Sequence, residues 1–217
     1  MTVPIDESVI LLHGLARTSR SMRAMERFLE QTGYHVVNVD YPSRQKPIEE
    51  LAPLAIEKGL AQCSQHNKVH FVTHSLGGIL LRYYLSRHEL VQLGRVVMLG
   101  PPNQGSEVID KLGKVWGFGT INGPAGFELG TGEVSVPIQL PEVDFELGVI
   151  AGNKSINWFL SLLLPGPDDG KVTVERTRVK GMSDHIVLPV SHPYIMNRKK
   201  VMQQVVKFLS QGQFDSN

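Results

Sequence analysis

Residues 69–79 read Val-His-Phe-Val-Thr-His-Ser-Leu-Gly-Gly-Ile, an apolar run that ends in a serine followed by small residues. The pattern predicts a buried strand, a sharp turn at Ser75 and a helix after the turn. Such a turn lifts a serine out of the sheet and needs small residues two positions before and two positions after it. Gly77 meets the second requirement, whereas Thr73 stands where glycine is usual. The stretch therefore predicts that Ser75 is a nucleophile, although only one glycine of the G-x-S-x-G pattern is present.

The rest of the chain alternates short apolar runs with longer segments of mixed polarity. This alternation predicts an α/β fold with a mostly parallel sheet of about six strands and helices on both faces. The predicted strands cover residues 9–12, 35–39, 69–73, 95–99, 147–151 and 186–190. The predicted helices cover residues 19–31, 48–65, 76–89 and 197–209.

Composition excludes several classes of protein. The chain has 217 residues, of which 41% are hydrophobic and 20% charged, so we expect one globular domain over residues 1–217. With 22 basic and 21 acidic side chains the net charge is +1, and no nucleic-acid partner is predicted. No apolar run approaches the roughly 18 residues of a membrane span, and membrane contact is possible but not predicted. Cys63 is the only cysteine, and the first residues lack a basic signal-peptide segment, so we expect a cytoplasmic protein.

A serine nucleophile needs a base that takes its proton, and the base needs an acid that orients it. Three histidines follow the serine: His88, His185 and His192. His88 falls in the helix after the serine and points elsewhere. His192 follows the last predicted strand and precedes the last helix, where a base would hang over the sheet edge. His185 begins that strand at its opposite end, so His192 is the predicted base.

The predicted acid lies in the run Pro-Gly-Pro-Asp-Asp-Gly-Lys-Val at residues 165–172. Asp169, immediately before Gly170, is favoured over Asp168. The same run is also good turn chemistry without any catalytic role. Both readings place a carboxylate in a loop between the last two predicted strands.

Acyl transfer also needs two backbone N–H groups aimed at the charge that develops on the carbonyl oxygen. Leu76 would supply one, because it follows the nucleophile at the start of a helix. Leu15 would supply the other, from the loop after the first strand. Gly14 precedes it and allows that backbone to approach the site.

The motifs occur in a characteristic order: Leu-Leu-His-Gly-Leu at 11–15, Thr-His-Ser-Leu-Gly-Gly at 73–78, Leu-Gly-Pro-Pro-Asn-Gln-Gly-Ser at 99–106, the Asp-Gly turn, and Ser-His before the last helix. This set resembles the α/β-hydrolase superfamily, and within it the small lipase-like esterases, over about residues 8–210. Pro101 stands where such enzymes carry threonine. The resemblance implies an α/β-hydrolase fold with a trimmed sheet, because only seven residues precede the matching region.

Carried over by position, the resemblance makes Ser75 the nucleophile, His192 the base and Asp169 its orienting acid, with Leu15 and Leu76 as oxyanion donors. It implies hydrolysis of small-molecule carboxylic esters without a metal or organic cofactor. Thioesterase and acyltransferase chemistry use the same constellation. A non-catalytic binding module of the same fold is a further alternative, which the complete set of three residues argues against. The oligomeric state is left open.

A glycine-rich segment at about residues 106–146 is predicted to be a lid-like excursion over the site. Seven glycines lie between residues 113 and 132, and no Lys or Arg occurs from 115 to 153. Such glycine density raises the entropy cost of ordering, so we expect irregular backbone. Trp116, Phe118 and Phe127 could line an apolar acyl site there, which favours uncharged esters of short to medium chain length.

Other motifs carry less weight. His35 to Asp40 matches an acyltransferase H-x-x-x-x-D spacing, but its interior reads as a buried strand. No H-E-x-x-H or paired-cysteine set is present, so no metal site is predicted. Arg17 could meet an anionic head group, although an exposed arginine without a partner is the simpler interpretation.

Overall fold

The computed structural model describes residues 6–64, 67–112, 118–155 and 164–215. These residues form a six-stranded sheet with the strands β1 (Ser8–Leu12), β2 (His35–Val39), β3 (Val69–His74), β4 (Leu93–Leu99), β5 (Leu147–Gly152) and β6 (Asp184–Leu188). The strand order is β2-β1-β3-β4-β5-β6, and every neighbouring pair is parallel. The predicted parallel sheet of about six strands is confirmed.

Helices cover both faces of this sheet. Their bounds are α1 (Arg23–Gln31), α2 (Ile48–Leu60), α3 (Leu76–Leu85), α4 (Glu107–Leu112), α5 (Phe118–Phe127), α6 (Val136–Gln139) and α7 (Lys199–Gln211). Short 3-10 helices occupy Ser19–Met22, Glu175–Thr177 and His192–Asn197.

Alternation along the strands builds two hydrophobic layers. Ile10 and Leu12 on β1 face the layer that contains α2 and α3. Val9 and Leu11 face the other layer, with α1 and α7. All four side chains are fully buried, because successive side chains of a strand point to opposite faces and both faces are covered. Burial on both faces is the reason that the strands read as continuous apolar runs in the sequence.

The element ends differ from the predicted ones by a few residues. Strand β6 begins two residues earlier than predicted and ends at Leu188, because the amide of Val190 turns back to donate to the Leu188 carbonyl at 2.8 Å. Helix α3 ends at Leu85, so the prediction that His88 lies within the helix is wrong. The His88 ring instead stacks on Tyr84 with ring centroids 4.3 Å apart.

The segment at about 106–146 is more regular than its glycine density predicts. Its described part contains α4, α5 and α6, and contacts with distant residues hold them. Asp110 accepts a hydrogen bond from the Thr131 amide at 3.0 Å, and Glu128 accepts one from the Ile48 amide at 2.7 Å. At Gly123, where φ is +67°, the chain kinks against the backbone of Arg44. These contacts offset the entropy cost on which the prediction rested.

Arg82 joins helix α3 to the loops beyond the sheet. Its side chain is buried and donates to the backbone carbonyls of Asn103 at 3.0 Å and Pro141 at 3.0 Å. Burial lowers the pKa of Arg82 to about 10. Because α3 begins directly after Ser75, these bonds anchor the helix that carries the predicted nucleophile.

Candidate active site

The predicted site residues meet at the carboxyl ends of the strands. Ser75 follows β3, the loop at 13–17 follows β1, and His192 follows the chain that leaves β6. In parallel sheets these ends lie on one edge, where ligands of open α/β folds bind. Neighbouring strands β1 and β3 bring the 13–17 loop next to Ser75.

Ser75 occupies a strained turn between β3 and α3. Its φ of +51° and ψ of −118° lie in a region that residues other than glycine rarely adopt. The Ser75 amide donates to the Leu99 carbonyl at 3.0 Å, which ties the turn to β4. A Cβ at Gly77 would lie 2.7 Å from the Leu12 carbonyl oxygen, so only glycine fits this close approach of α3 to β1. Thr73 is fully buried within β3 at the position where glycine was expected.

Three side chains form a hydrogen-bonded row. The Ser75 hydroxyl oxygen lies 3.1 Å from His192 Nε2, and His192 Nδ1 lies 2.7 Å from Asp169 Oδ2. A buried carboxylate can only accept, so Nδ1 carries the proton and Nε2 is free to accept from the serine. All three residues are buried: Ser75 is 8% exposed, His192 3% and Asp169 0%.

Asp169, rather than Asp168, faces His192. Its other oxygen, Oδ1, accepts hydrogen bonds from the amides of Lys171 at 3.0 Å and Val172 at 2.9 Å. The His192 amide also donates to the Asp169 carbonyl at 2.9 Å. The Asp168 carboxylate instead accepts from the Gly170 amide at 2.7 Å within the turn. The two neighbouring acids therefore have different surroundings, one at the histidine and one in the turn.

The loop of Leu15 borders the serine. Ala16 has a φ of +54°, and the Arg17 amide donates to the Gly14 carbonyl at 3.2 Å, which closes a tight turn. A Cβ at Gly14 would lie 3.2 Å from Ser75 Cβ and 2.7 Å from His74 Nδ1, so this backbone approaches the site closely. Leu76 begins α3, where the first amides of a helix have no intrahelical acceptor. The two predicted donors thus come from segments on either side of the serine.

His74 is a residue of the site that our sequence reasoning missed. It is 2% exposed, and its Nε2 donates to the His192 backbone carbonyl at 3.1 Å. Its ring lies against the His192 ring, with centroids 4.8 Å apart. Burial lowers the pKa of His74 well below its ordinary value, and the neighbouring groups His192, Lys171 and Arg17 lower it further. Its place directly before Ser75 was the available signal.

The remaining predicted residues lie elsewhere or outside the described residues. His185 sits near the amino end of β6, and its Nε2 lies 2.9 Å from the hydroxyl of Thr177. Phe127 ends α5 and is half exposed. Trp116 and the side chain of Phe118 lie outside the described residues.

Helix α5 nevertheless lies beside the site. A Cβ at Gly126 would lie 3.4 Å from Leu15 Cδ2, and Ala125 is fully buried in the same layer as Leu15. The described part of α5 therefore packs on the loop that borders Ser75.

The described residues contain neither a membrane-spanning helix nor a cluster of metal ligands. No helix among them is long and apolar enough to cross a membrane. Within the same residues, no group of three or more His, Cys, Asp or Glu side chains could hold a metal ion.

The fold and this arrangement agree with the comparison against protein families. The model of the Alpha/beta hydrolase family matches residues 9–192, and the chain belongs to this family. A comparison with curated proteins finds no match.

Solved structures show the same fold. The lipase BlEst2 of Bacillus licheniformis in mature form aligns with a TM-score of 0.80 and 21% identity, over 98% of this chain and 94% of that one. The metagenomic carboxyl esterase MGS0156 aligns with a TM-score of 0.67 and 15% identity, over 89% and 67%. A pyrethroid hydrolase from Sphingobium faniae JZ-2 aligns with a TM-score of 0.60 and 16% identity, over 94% and 98%. The chain therefore has the α/β-hydrolase fold of its family.

Proposed function

We propose that this hydrolase cleaves carboxylic esters through an acyl-enzyme on Ser75. The observation that carries the proposal is the hydrogen-bonded row from the Ser75 hydroxyl through His192 to Asp169. A serine hydroxyl becomes an effective nucleophile when a neighbouring base takes its proton and an acid holds that base in the right tautomer.

In the acylation half, the Ser75 oxygen attacks the ester carbonyl carbon while its proton passes to His192 Nε2. The carbonyl oxygen becomes an oxyanion, for which the amides of Leu15 and Leu76 are the proposed donors. As the intermediate collapses, the bond to the alkoxy oxygen breaks and His192 returns the proton to the departing alcohol. Asp169 keeps Nδ1 protonated and stabilises the imidazolium while it exists.

Deacylation repeats the same proton path with water. His192 takes a proton from water, whose oxygen attacks the acyl carbon of the ester bond to Ser75. Collapse of the second oxyanion releases the carboxylic acid, and the proton returns to the Ser75 oxygen. Neither half changes an oxidation state, and each proton that His192 accepts is returned, first to the departing alcohol and then to the Ser75 oxygen.

The ester as substrate has support of two kinds. The similar structures include proteins named as a lipase, a carboxyl esterase and a pyrethroid hydrolase. Helix α5 packs beside Leu15, and with Phe127 and the predicted Trp116 and Phe118 it is the proposed wall for an apolar acyl group. No observation favours a thioester or an acyl acceptor other than water.

A fluorophosphonate probe tests the proposal directly. We expect the wild-type protein to be labelled once, on the peptide that contains Ser75, and to hydrolyse p-nitrophenyl butyrate. Ser75→Ala should lose labelling and about four to six decades of the rate, by analogy with measured triads. Ser86→Ala is the matched control, because Ser86 follows α3 and its exposed hydroxyl only donates to the Tyr83 carbonyl and accepts from the Arg87 guanidinium. A Ser75→Ala protein that kept more than a tenth of the rate would contradict the proposal.

A further inference from the structure

An open cleft of about 660 Å³ lies beyond the carboxyl ends of β1 and β2. Its lining includes Arg17, Asp40, Tyr41, Arg44 and Lys58, and we refer to it as the cationic cleft. Three of these side chains are cations and one is a carboxylate. The whole chain carries a net charge of only +1, so the cleft concentrates positive charge that the composition conceals.

Within the described residues, the three cations of the cationic cleft, Arg17, Arg44 and Lys58, take part in no ion pair. Lys58 Nζ donates to the Asp40 backbone carbonyl at 2.8 Å, which holds the ammonium at the wall. The Asp40 carboxylate accepts from the Ser19 amide at 2.8 Å. Its nearest cationic candidate, His13 at 3.8 Å, has a pKa that burial lowers.

The cationic cleft lies on the same edge of the sheet as the site of Ser75. Strands β2, β1 and β3 are neighbours, and strands lie about 4.8 Å apart, so the floor of the cleft begins within about 10 Å of the serine strand. Arg17 comes two residues after Leu15, and Tyr41 stacks on His13 with ring centroids 4.0 Å apart.

Helix α5 spans both regions. Near its middle, Gly123 packs against the Arg44 backbone, and three residues later Gly126 packs beside Leu15. The described part of α5 therefore contacts both the loop of Leu15 and the backbone of Arg44, whose side chain belongs to the lining of the cationic cleft.

We propose that the cationic cleft binds a carboxylate or phosphate carried by the ester that Ser75 cleaves. Guanidinium groups bind such anions through paired N–H donors, and an ammonium adds a point charge. The inference rests on the proposed function and narrows its substrate class to esters with one anionic group. The sequence predicted uncharged esters. The proposed substrate keeps the apolar acyl group of that prediction and carries an anionic group as well, which binds in the cationic cleft.

Matched substrates test this specificity. The acyl-side pair is p-nitrophenyl valerate and mono-p-nitrophenyl glutarate, which differ by a terminal carboxylate. The alcohol-side pair is 1-butyrylglycerol and its 3-phosphate. We expect wild-type kcat/KM to favour the anionic member of at least one pair at 50 mM salt, and the preference to fall at 500 mM salt because salt screens exposed charges.

The double variant Arg17→Gln/Arg44→Gln should lower that anionic-to-neutral ratio about tenfold or more, at roughly fivefold per exposed cation. Arg27→Gln is the matched control, since Arg27 is an exposed cation on α1, outside the lining of the cleft. If the ratio falls for the acyl-side pair, the acyl group of the ester enters the cleft. If it falls for the alcohol-side pair, the alcohol group enters it. Equal ratios in wild type and double variant for both pairs would overturn the inference, and so would an equal drop in Arg27→Gln.

Binding to the Ser75→Ala protein separates this inference from the proposed function. Calorimetry should show that the glutarate ester binds this protein more tightly than the valerate ester, or the phosphate ester more tightly than 1-butyrylglycerol. The preference should be lost when Arg17→Gln/Arg44→Gln is added. Preferential binding without any turnover by wild type would overturn the proposed function alone. Inhibition by inorganic phosphate without any preference among the esters would overturn the inference alone.

Discussion

Replacing Asp169 by asparagine tests the hydrogen-bonded row at the residue that is least exposed to solvent. The carboxylate is fully buried, with Oδ1 held by the amides of Lys171 and Val172 and Oδ2 facing His192. In Asp169→Asn the amide oxygen keeps the two backbone donors, so the new NH₂ group must face His192 Nδ1. An NH₂ group donates, which forces the histidine proton onto Nε2, where it blocks acceptance from Ser75.

The size of the effect follows from the distance. A carboxylate and an imidazolium 2.7 Å apart attract by about 6 kcal/mol at an effective dielectric constant of about 20. At about 1.4 kcal/mol for each decade of rate, losing this attraction costs about four decades in kcat. The imidazolium exists only during the reaction, so kcat and kcat/KM should fall together and KM should change little.

The assay is hydrolysis of p-nitrophenyl butyrate by Asp169→Asn, with Asp168→Asn as the matched control. The control keeps its acceptor for the Gly170 amide through the asparagine oxygen, so we expect its rate within about threefold of wild type. Thermal unfolding of both variants shows whether the fold persists. Equal losses in the two variants, or more than a tenth of the rate in Asp169→Asn, would refute the reasoning.

Two further predictions concern the loop beside the serine and the second histidine. Gly14→Ala places a Cβ 2.7 Å from His74 Nδ1, so the loop and the Leu15 amide must move away from Ser75. We expect kcat/KM for the butyrate ester to fall about 100-fold. An unchanged rate would count against Leu15 as an oxyanion donor. Burial and the charge of Arg178 lower the pKa of His185 from 6.5 to about 4. Between these pH values the unfolded chain binds a proton that the folded protein does not. The free energy of unfolding therefore falls as the pH drops from about 6.5 to 4. Denaturant unfolding at pH 7 and pH 4.5 should show a smaller loss of unfolding free energy in His185→Gln than in wild type, by about 1–2 kcal/mol because solvent screens the partly buried ring. Equal losses in the two proteins would disprove that His185 is a source of the pH dependence.

Much of the sheet was predictable because buried strands appear in the sequence as short apolar stretches. Strands β1 and β3 have both faces covered, so the centre of each strand is apolar: residues 9–12 in β1 and residues 71–72 in β3. Ser75 and His192 were predictable as a pair for a related reason. Each stands in a loop that follows a strand, and parallel strands deliver such loops to one edge whatever their separation in sequence.

The choice between neighbouring residues was harder to derive. Asp168 and Asp169 share one turn, and their surroundings differ only through backbone amides and the approach of His192 from 23 residues away. His74 poses the same problem, because its partner is the carbonyl of a residue 118 positions later. Composition and spacing carry no information on such contacts, which depend on the assembled loops.

The glycine-rich segment shows how a sound local argument can be outweighed. Glycine does raise the entropy cost of ordering at each position. That cost is met by partners outside the segment, such as the Ile48 amide for Glu128 and the Arg44 backbone for Gly123. A sequence window that ends at the segment does not include these contacts. It therefore predicts more irregular backbone than the described part of the segment has.

Net charge misleads in a comparable way. A value of +1 argues against an extended polyanion such as nucleic acid, since that partner samples the field of a whole face. A single carboxylate or phosphate samples only the charges within about a Debye length, roughly 8–10 Å. Arg17, Arg44 and Lys58 lie in three separate segments that meet in one cleft, and the order β2-β1-β3 places this cleft on the sheet edge that also holds Ser75. For a small anionic ester, the relevant charge is therefore that of the cleft, where three cations face the one carboxylate of Asp40.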